Sequence, residues 1–316
     1  MNSRAVHWKP LNFIIFTNTP SLSMKIYTLP QDIFPGGRAA DEAIIFYNYA
    51  AATGLFNGKS ILTKNAISLV ISGEKTMHFA EKEIHVNSRE FHFLSAGNCL
   101  VAMKLDPAIP FKSFIIFFDN IILSNFFIKY ARQVTIARDK LKIMREHYVA
   151  LKKDDFIIHF IDSLQLLTKG NAGASMEMKL LKFEELLLHL LENYPAKLLS
   201  FQPAGRAELN DLEIRKVVEL NIAKNISLGE LAFLCNTSLS TFKRRFAKIF
   251  HVSPSKWILQ RRMDMAKDLL QHHGERPAEI FYKLGYENHS SFSKSFKQSF
   301  GITPQAFQKQ QLNLQQ

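Results

Sequence analysis

Ser240, Lys243, Arg244 and Lys248 carry hydrogen-bond donors of the kind that reach phosphate oxygens and guanine edges. Their spacing puts them together. Phe242, Phe246 and Phe250 recur every four residues and form one apolar stripe along a helix. At about 100° per residue, Arg244 lies roughly 200° round from Phe242, and Ser240 roughly 160° round the other way. The four polar residues therefore populate the half of the helix that faces away from the stripe. A cationic helix face with small hydroxyls suits a polyanion, and the major groove of DNA is the obvious one. Fifty positions on, Ser290, Lys294 and Lys297 are displaced in a similar way from a second stripe of Phe292, Phe296 and Phe300.

These helices must be held by something, and the sequence around them repeats too. The pattern Phe242-x3-Phe246-x3-Phe250-x-Val252-x-Pro254-x2-Trp257 recurs as Phe292-x3-Phe296-x3-Phe300-x-Ile302-x-Pro304-x2-Phe307. Each unit reads as helix, tight turn, helix. In the first, Ser227 and Glu230 have capping-box spacing ahead of a helix to Cys235, Asn236-Thr237 make the turn, and Ser238 caps the second helix. In the second, a helix from Glu279 through Leu284 precedes Gly285-Tyr286, with Asn288 as the cap. Ser253-Pro254 and Thr303-Pro304 each set a hydroxyl before a proline at a first helical position. Residues 255–271 are amphipathic and join the units, so two outward helices about one duplex turn apart, roughly 34 Å, are expected to enter successive major grooves. Between Glu230 and Asp264 stand Lys243, Arg244, Arg245, Lys248, Lys256, Arg261 and Arg262 without an acid, where an ordinary solvated helix mixes signs.

The chain of 316 residues is long enough for two domains, and 47 % apolar with 22 % charged residues is ordinary globular composition. Forty Lys and Arg against 28 Asp and Glu give a net charge of +12, compatible with nucleic acid, an anionic membrane or an acidic partner. Cys99 and Cys235 are the only cysteines and lie outside any zinc spacing, which points to a reducing, cytoplasmic setting and to no metal or cofactor. Residues 114–128, the most apolar stretch, are broken by Asp119, Asn120, Ser124 and Asn125, so no membrane span is expected.

Residues 60–118 read mainly as short strands, which suggests a small barrel or sandwich. Helical periodicity is expected over 121–132, 140–168 and 176–194. In the last of these Leu180, Phe183, Leu187 and Leu190 belong to a broad stripe, usually intradomain packing, and in the sharper reading a dimer seam. Pro195, Pro203 and Gly205 mark a break. The fold class is α+β: an N-terminal extension over 1–23, a regulatory and dimerisation domain over 24–194, a linker over 195–207, and an all-α domain with two helix-turn-helix units over 208–310.

The C-terminal segment resembles the DNA-binding domain of the AraC/XylS family of bacterial transcription regulators. The residues that carry the resemblance are Leu228-Gly-Glu-Leu-Ala232, Leu239-Ser-Thr-Phe-Lys-Arg-Arg-Phe246, Ala266-Lys-Asp-Leu-Leu270, Leu284-Gly-Tyr286, Phe292-Ser-Lys-Ser-Phe-Lys297 and Phe300-Gly-Ile-Thr-Pro304. The resemblance implies DNA contacts at Ser240, Lys243 and Arg244 in the first unit and at His289, Ser290, Ser291 and Lys294 in the second. One departure is Phe281, followed by Tyr282, where the family has a small Ala; such bulk at a helix crossing bears on the tilt of the second recognition helix. The N-terminal part is similar to the family's cupin-like β-barrel with flanking helices, in the branch that activates virulence and secretion genes. That likeness implies promoter DNA, RNA polymerase and a second copy as partners, with a small effector or a regulatory protein as the signal. An activator is the expectation, a repressor the alternative. A metal-dependent cupin enzyme fused to the DNA-binding domain is the rival from another class, but His78, His85 and His92 lack the His-x-His pattern, and no catalytic arrangement is legible. Peripheral membrane binding is disfavoured because the Phe stripes are expected to face one another across a bundle.

Overall fold

The computed structural model describes residues 26–34, 41–51, 54–105, 109–168, 174–203, 211–271 and 275–314, so the expected extension over 1–23 lies outside the described residues. The N-terminal half holds ten strands: β1 (Ile26–Leu29), β2 (Ile44–Ala51), β3 (Gly54–Leu62), β4 (Asn65–Ser72), β5 (Lys75–His78), β6 (Glu83–Val86), β7 (Glu90–Leu94), β8 (Gly97–Leu105), β9 (Phe111–Phe118) and β10 (Tyr148–Lys152). They form two five-stranded sheets in the orders β1-β3-β8-β5-β6 and β10-β7-β4-β9-β2. Alternation along β9 explains the layering. Phe111, Ile115 and Phe117 point between the sheets, whereas Phe114, Ile116 and Phe118 point outward into a helical layer.

That outer layer consists of α1 (Asn120–Lys129), α2 (Ala131–Asp139), α3 (Asp155–Leu167), α4 (Met176–Asn193) and α5 (Pro195–Ser200). Three expectations are corrected here. The helix expected over 140–168 begins only at Asp155, because Tyr148–Lys152 pairs antiparallel with β7 and buries Val149 and Leu151 with a two-residue period. Of the expected dimer seam, Phe183, Leu187 and Leu190 are buried against the barrel's outer face and are unavailable to a second copy; Leu180 alone is exposed. The expected linker does not start at Pro195. That proline opens α5 at its first turn, and Leu198, Leu199 and Phe201 complete the regulatory core.

The C-terminal half is helical: α6 (Asp211–Asn221), α7 (Leu228–Leu234), α8 (Leu239–Phe250), α9 (Pro254–Gln271), α10 (Pro277–Ile280), α11 (His289–Phe300) and α12 (Pro304–Leu314). It contains two small cores. One gathers Ile214, Val217, Leu231, Phe242 and Phe246, the other Met263, Leu270, Ile280, Phe292 and Phe296. Helix α9 contributes Trp257 and Ile258 to the first and Met263, Ala266 and Leu270 to the second, so one helix is shared by both units. The helix expected from Glu279 through Leu284 is interrupted: α10 stops at Ile280, and Tyr282–Leu284 tightens into a single 3-10 turn before Gly285.

The two halves touch. Asn98 on β8 donates from Nδ2 to the Phe233 carbonyl at 2.7 Å, and Asn221 at the end of α6 donates to the Ala80 carbonyl at 3.1 Å. Lys216 and Lys224 face Glu81 and Glu83 at 3.1 and 3.5 Å, and the Lys59 ammonium lies 5.7 Å from the Phe233 ring centroid.

Candidate nucleic-acid interface

Each recognition helix starts where a side chain captures its first free N–H groups. Ser238 Oγ accepts from the Thr241 N–H at 3.2 Å, and Asn288 Oδ1 accepts from the Ser291 N–H at 2.9 Å. Ahead of the first, Ser227 and Glu230 form the full capping box that opens α7. Left-handed residues end both helices, His251 at φ 56° and Gly301 at φ 80°.

On α8 the Phe242 and Phe246 rings are fully buried, and Ser240, Lys243, Arg244 and Lys248 are all exposed. Ser240 is not an isolated hydroxyl: its Oγ lies 3.0 Å from Ser238 Oγ. Lys248 is 79 % exposed and stands 3.8 Å from Asp211, a loose pairing that leaves the ammonium free to turn to another anion. Leu239, at the start of α8, is 40 % exposed, an apolar tip of the kind that meets a thymine methyl.

On α11 Ser290, Ser291 and Lys294 are exposed. His289 differs. Its ring is partly covered, 6.2 Å edge-on from Phe281 and 6.3 Å from Phe292, with Ser293 Oγ 3.4 Å from Nε2. The bulk at Phe281 thus folds inward to support His289, while Tyr282 is 59 % exposed.

The acid-free basic run is divided by the fold. Arg245 turns back to Asp211, with Nε and Nη2 donating to one carboxylate oxygen at 3.1 and 2.9 Å. Arg262 turns inward to backbone carbonyls. Lys243, Arg244 and Lys256 remain exposed, and Arg261 lies 5.9 Å over the Trp257 ring. Beside Lys243 runs an open cleft of about 600 Å³ lined by Ala247, His251, Ser253 and Ser255. His251, Ser253 and Ser255 were not among the contact residues expected from the sequence. His251 and Ser253 lie in the short break between α8 and α9, and Ser255 lies in the first turn of α9.

Elsewhere the chemistry is closed. Both thiols are buried, and burial pushes each up to about 12, far from a reactive thiolate at neutral pH. His78 and His85 lie 3.2 and 3.3 Å from Glu83 and Glu74, His92 is inside the barrel, and no group of three metal-binding side chains occurs among the described residues. Among those residues no helix is long and apolar enough to cross a membrane.

Two family models match separate parts of the chain. Residues 65–201 match the ExsA N-terminal regulatory domain, and residues 231–310 match a helix-turn-helix domain. The virulence regulon transcriptional activator VirF of Yersinia enterocolitica is 30 % identical over 133 residues, 39 % of this chain and 46 % of that protein. The HTH-type transcriptional regulator GbdR of Pseudomonas aeruginosa is 35 % identical over 92 residues, 29 % of this chain and 25 % of that one. These alignments therefore span less than half of either relative. Among solved structures, ToxT from Vibrio cholerae aligns over 84 % of this chain and 98 % of its own at 14 % identity, with a TM-score of 0.36.

Proposed function

We propose that the chain is an AraC-family transcription regulator that binds promoter DNA sequence-specifically and activates transcription, a reading supported by the match of one part to the ExsA N-terminal regulatory domain and of another to a helix-turn-helix domain. The observation that carries this reading is the pair of capped helices, α8 and α11, each burying the first two rings of its Phe stripe and turning Ser and Lys outward, joined on α8 by Arg244, from units fixed on one connecting helix. In the first unit Ser240, Lys243 and Arg244 are the base- and phosphate-contacting set, with Lys248 reaching the backbone. In the second, Ser290, Ser291 and Lys294 make the contacts. His289, held against Phe281, contributes one ring edge rather than a mobile side chain.

The regulatory domain supplies the signal. Between its sheets Phe79, Phe111, Phe117 and Val70 pack into one apolar core, all at 1 % exposure or less. That favours a protein partner or a second copy over a small effector. Such a partner meets the outer helices, where Ile121, Ile128 and Leu181 are exposed. The likeness to a named virulence regulon activator supports activation rather than repression.

Fluorescence anisotropy on duplexes selected by the full chain tests the reading. Affinity is expected to fall steeply with salt, since each neutralised phosphate releases counterion. Arg244→Ala is expected to cost about 1–3 kcal/mol at its cognate base and to relax the preference there. Equal affinity for all duplexes, with no salt dependence, would remove the assignment.

A further inference from the structure

The Arg262 guanidinium sits in the seam between the two helix-turn-helix units. It projects from the middle of α9. Its Nε donates to the Ile222 carbonyl at 2.8 Å and its Nη2 to the Lys224 carbonyl at 2.7 Å, both in the segment linking α6 to α7 of the first unit. Its Nη1 donates across to the Gly285 carbonyl at 3.3 Å, in the turn of the second unit. The Tyr286 ring lies 5.7 Å from the guanidinium carbon. The seam is tight: a Cβ on Gly285 would come within 2.7 Å of the Lys224 oxygen and 2.8 Å of Arg262 Nη2. At its solvent edge Asn225 Nδ2 donates to Glu287 Oε1 at 3.2 Å, again across the units.

All three acceptors are neutral backbone carbonyls, two in the first unit and one in the second. A planar fork with five donors can serve them together, whereas an ammonium is a point charge on a flexible stem. The two recognition helices pack in separate cores, and beside the shared α9 this seam joins the units directly. The two cores pack on different stretches of α9, so the angle between the units also depends on contacts made directly across the seam.

We infer that Arg262 is a positioning residue that sets the separation and angle of α8 and α11, and thereby the spacing of DNA half-elements the protein accepts. This rests on the DNA-binding reading above, but its geometric part can be tested without DNA.

Arg262→Lys keeps the charge and most of the volume and serves for both measurements. In the full chain, Lys248→Cys and Lys297→Cys place spin labels on α8 and α11, and the native thiols are buried away from the label. Electron–electron distance measurement is expected to give one narrow distribution with Arg262 in place and a broad one in the R262K variant. On duplexes selected by the native chain, inserting or removing one base pair between the half-elements is expected to weaken native binding about tenfold or more, because the second unit is then no longer delivered to its site. R262K is expected to shrink that penalty to about threefold or less while leaving binding to an isolated half-element unchanged. An unchanged label distribution, or an unchanged spacing penalty, overturns the inference. So does a variant whose C-terminal half no longer folds by circular dichroism, since Arg262 would then be a folding residue. If the native chain selects no duplex at all, the DNA-binding reading fails while the label experiment still decides the geometry.

Discussion

The imidazole of His92 lies inside the barrel at 1 % exposure, and among the described residues neither ring nitrogen finds a hydrogen-bond partner. Its neighbours on the sheet are polar too: it pairs across the ladder with Ser68, whose hydroxyl lies 3.1 Å from Ser113. Burial first, then the charges of Lys75, Lys82, His85 and Lys153, hold its pKa down at about 4, with Glu90 3.8 Å away too distant to compensate. In the unfolded chain an imidazole titrates near about 6.5. Between those values the unfolded state binds the extra proton, so stability falls as the pH drops through that window. The expected loss from this group is about 2 kcal/mol between about pH 7 and about pH 5. Urea unfolding at the two pH values checks it: His92→Leu should flatten the dependence by that amount, and an equally steep variant would show that His92 is not its source. Lys75 adds a second such window. Burial lowers it to about 8, so its neutral folded form loses stability as the pH falls from about 10.5 toward that value.

His251 closes α8 in the left-handed conformation, where its repeat partner at the end of α11 is Gly301. A Cβ in that conformation costs about 1–2 kcal/mol, and a glycine there avoids it. His251→Gly is therefore expected to raise the domain's stability by about 1 kcal/mol in thermal unfolding. The same variant should weaken DNA binding if the cleft beside Lys243 meets the duplex, since His251 lines it. Two copies of one element have thus diverged at a position where the backbone prefers one of the two residues. The units also differ in the helix before the turn: α7 is a regular helix with a capping box, whereas α10 gives way to a 3-10 turn and hands its packing to Phe281.

Contact between the halves runs from the β5-β6 edge and β8 to α6 and the end of α7. The hydrogen bonds from Asn98 and Asn221 matter most there, because the ion pairs at Lys216 and Lys224 are partly exposed and worth little each. Asn98 reaches both the Phe233 carbonyl and, at 3.4 Å, the Asn236 side chain, so the regulatory sheet grips the turn that aims α8. In scanning calorimetry the native chain is expected to melt with coupled domains. Asn98→Ala combined with Asn221→Ala should separate the transitions; coincident melting in the double variant would show that the halves are coupled by other contacts.

The twin units, their caps and their Phe stripes were readable from the chain because each depends on residues within a few positions of one another. A four-residue recurrence or a Ser-x-x-Glu start needs no distant partner to be recognised. The inward turn of Arg245 and Arg262 was not readable, since Asp211, Ile222 and Gly285 meet them only after the helices pack. For the same reason the chain alone favours a core for Phe183, Leu187 and Leu190 but leaves a dimer seam open. The outer face of the barrel, assembled from strands far away in sequence, decides between the two. Strand β10 was hidden likewise: five residues next to a helical pattern become a strand because the free edge of β7 supplies their hydrogen bonds. Local periodicity specifies what an element is, and long-range packing specifies which of its faces remains available.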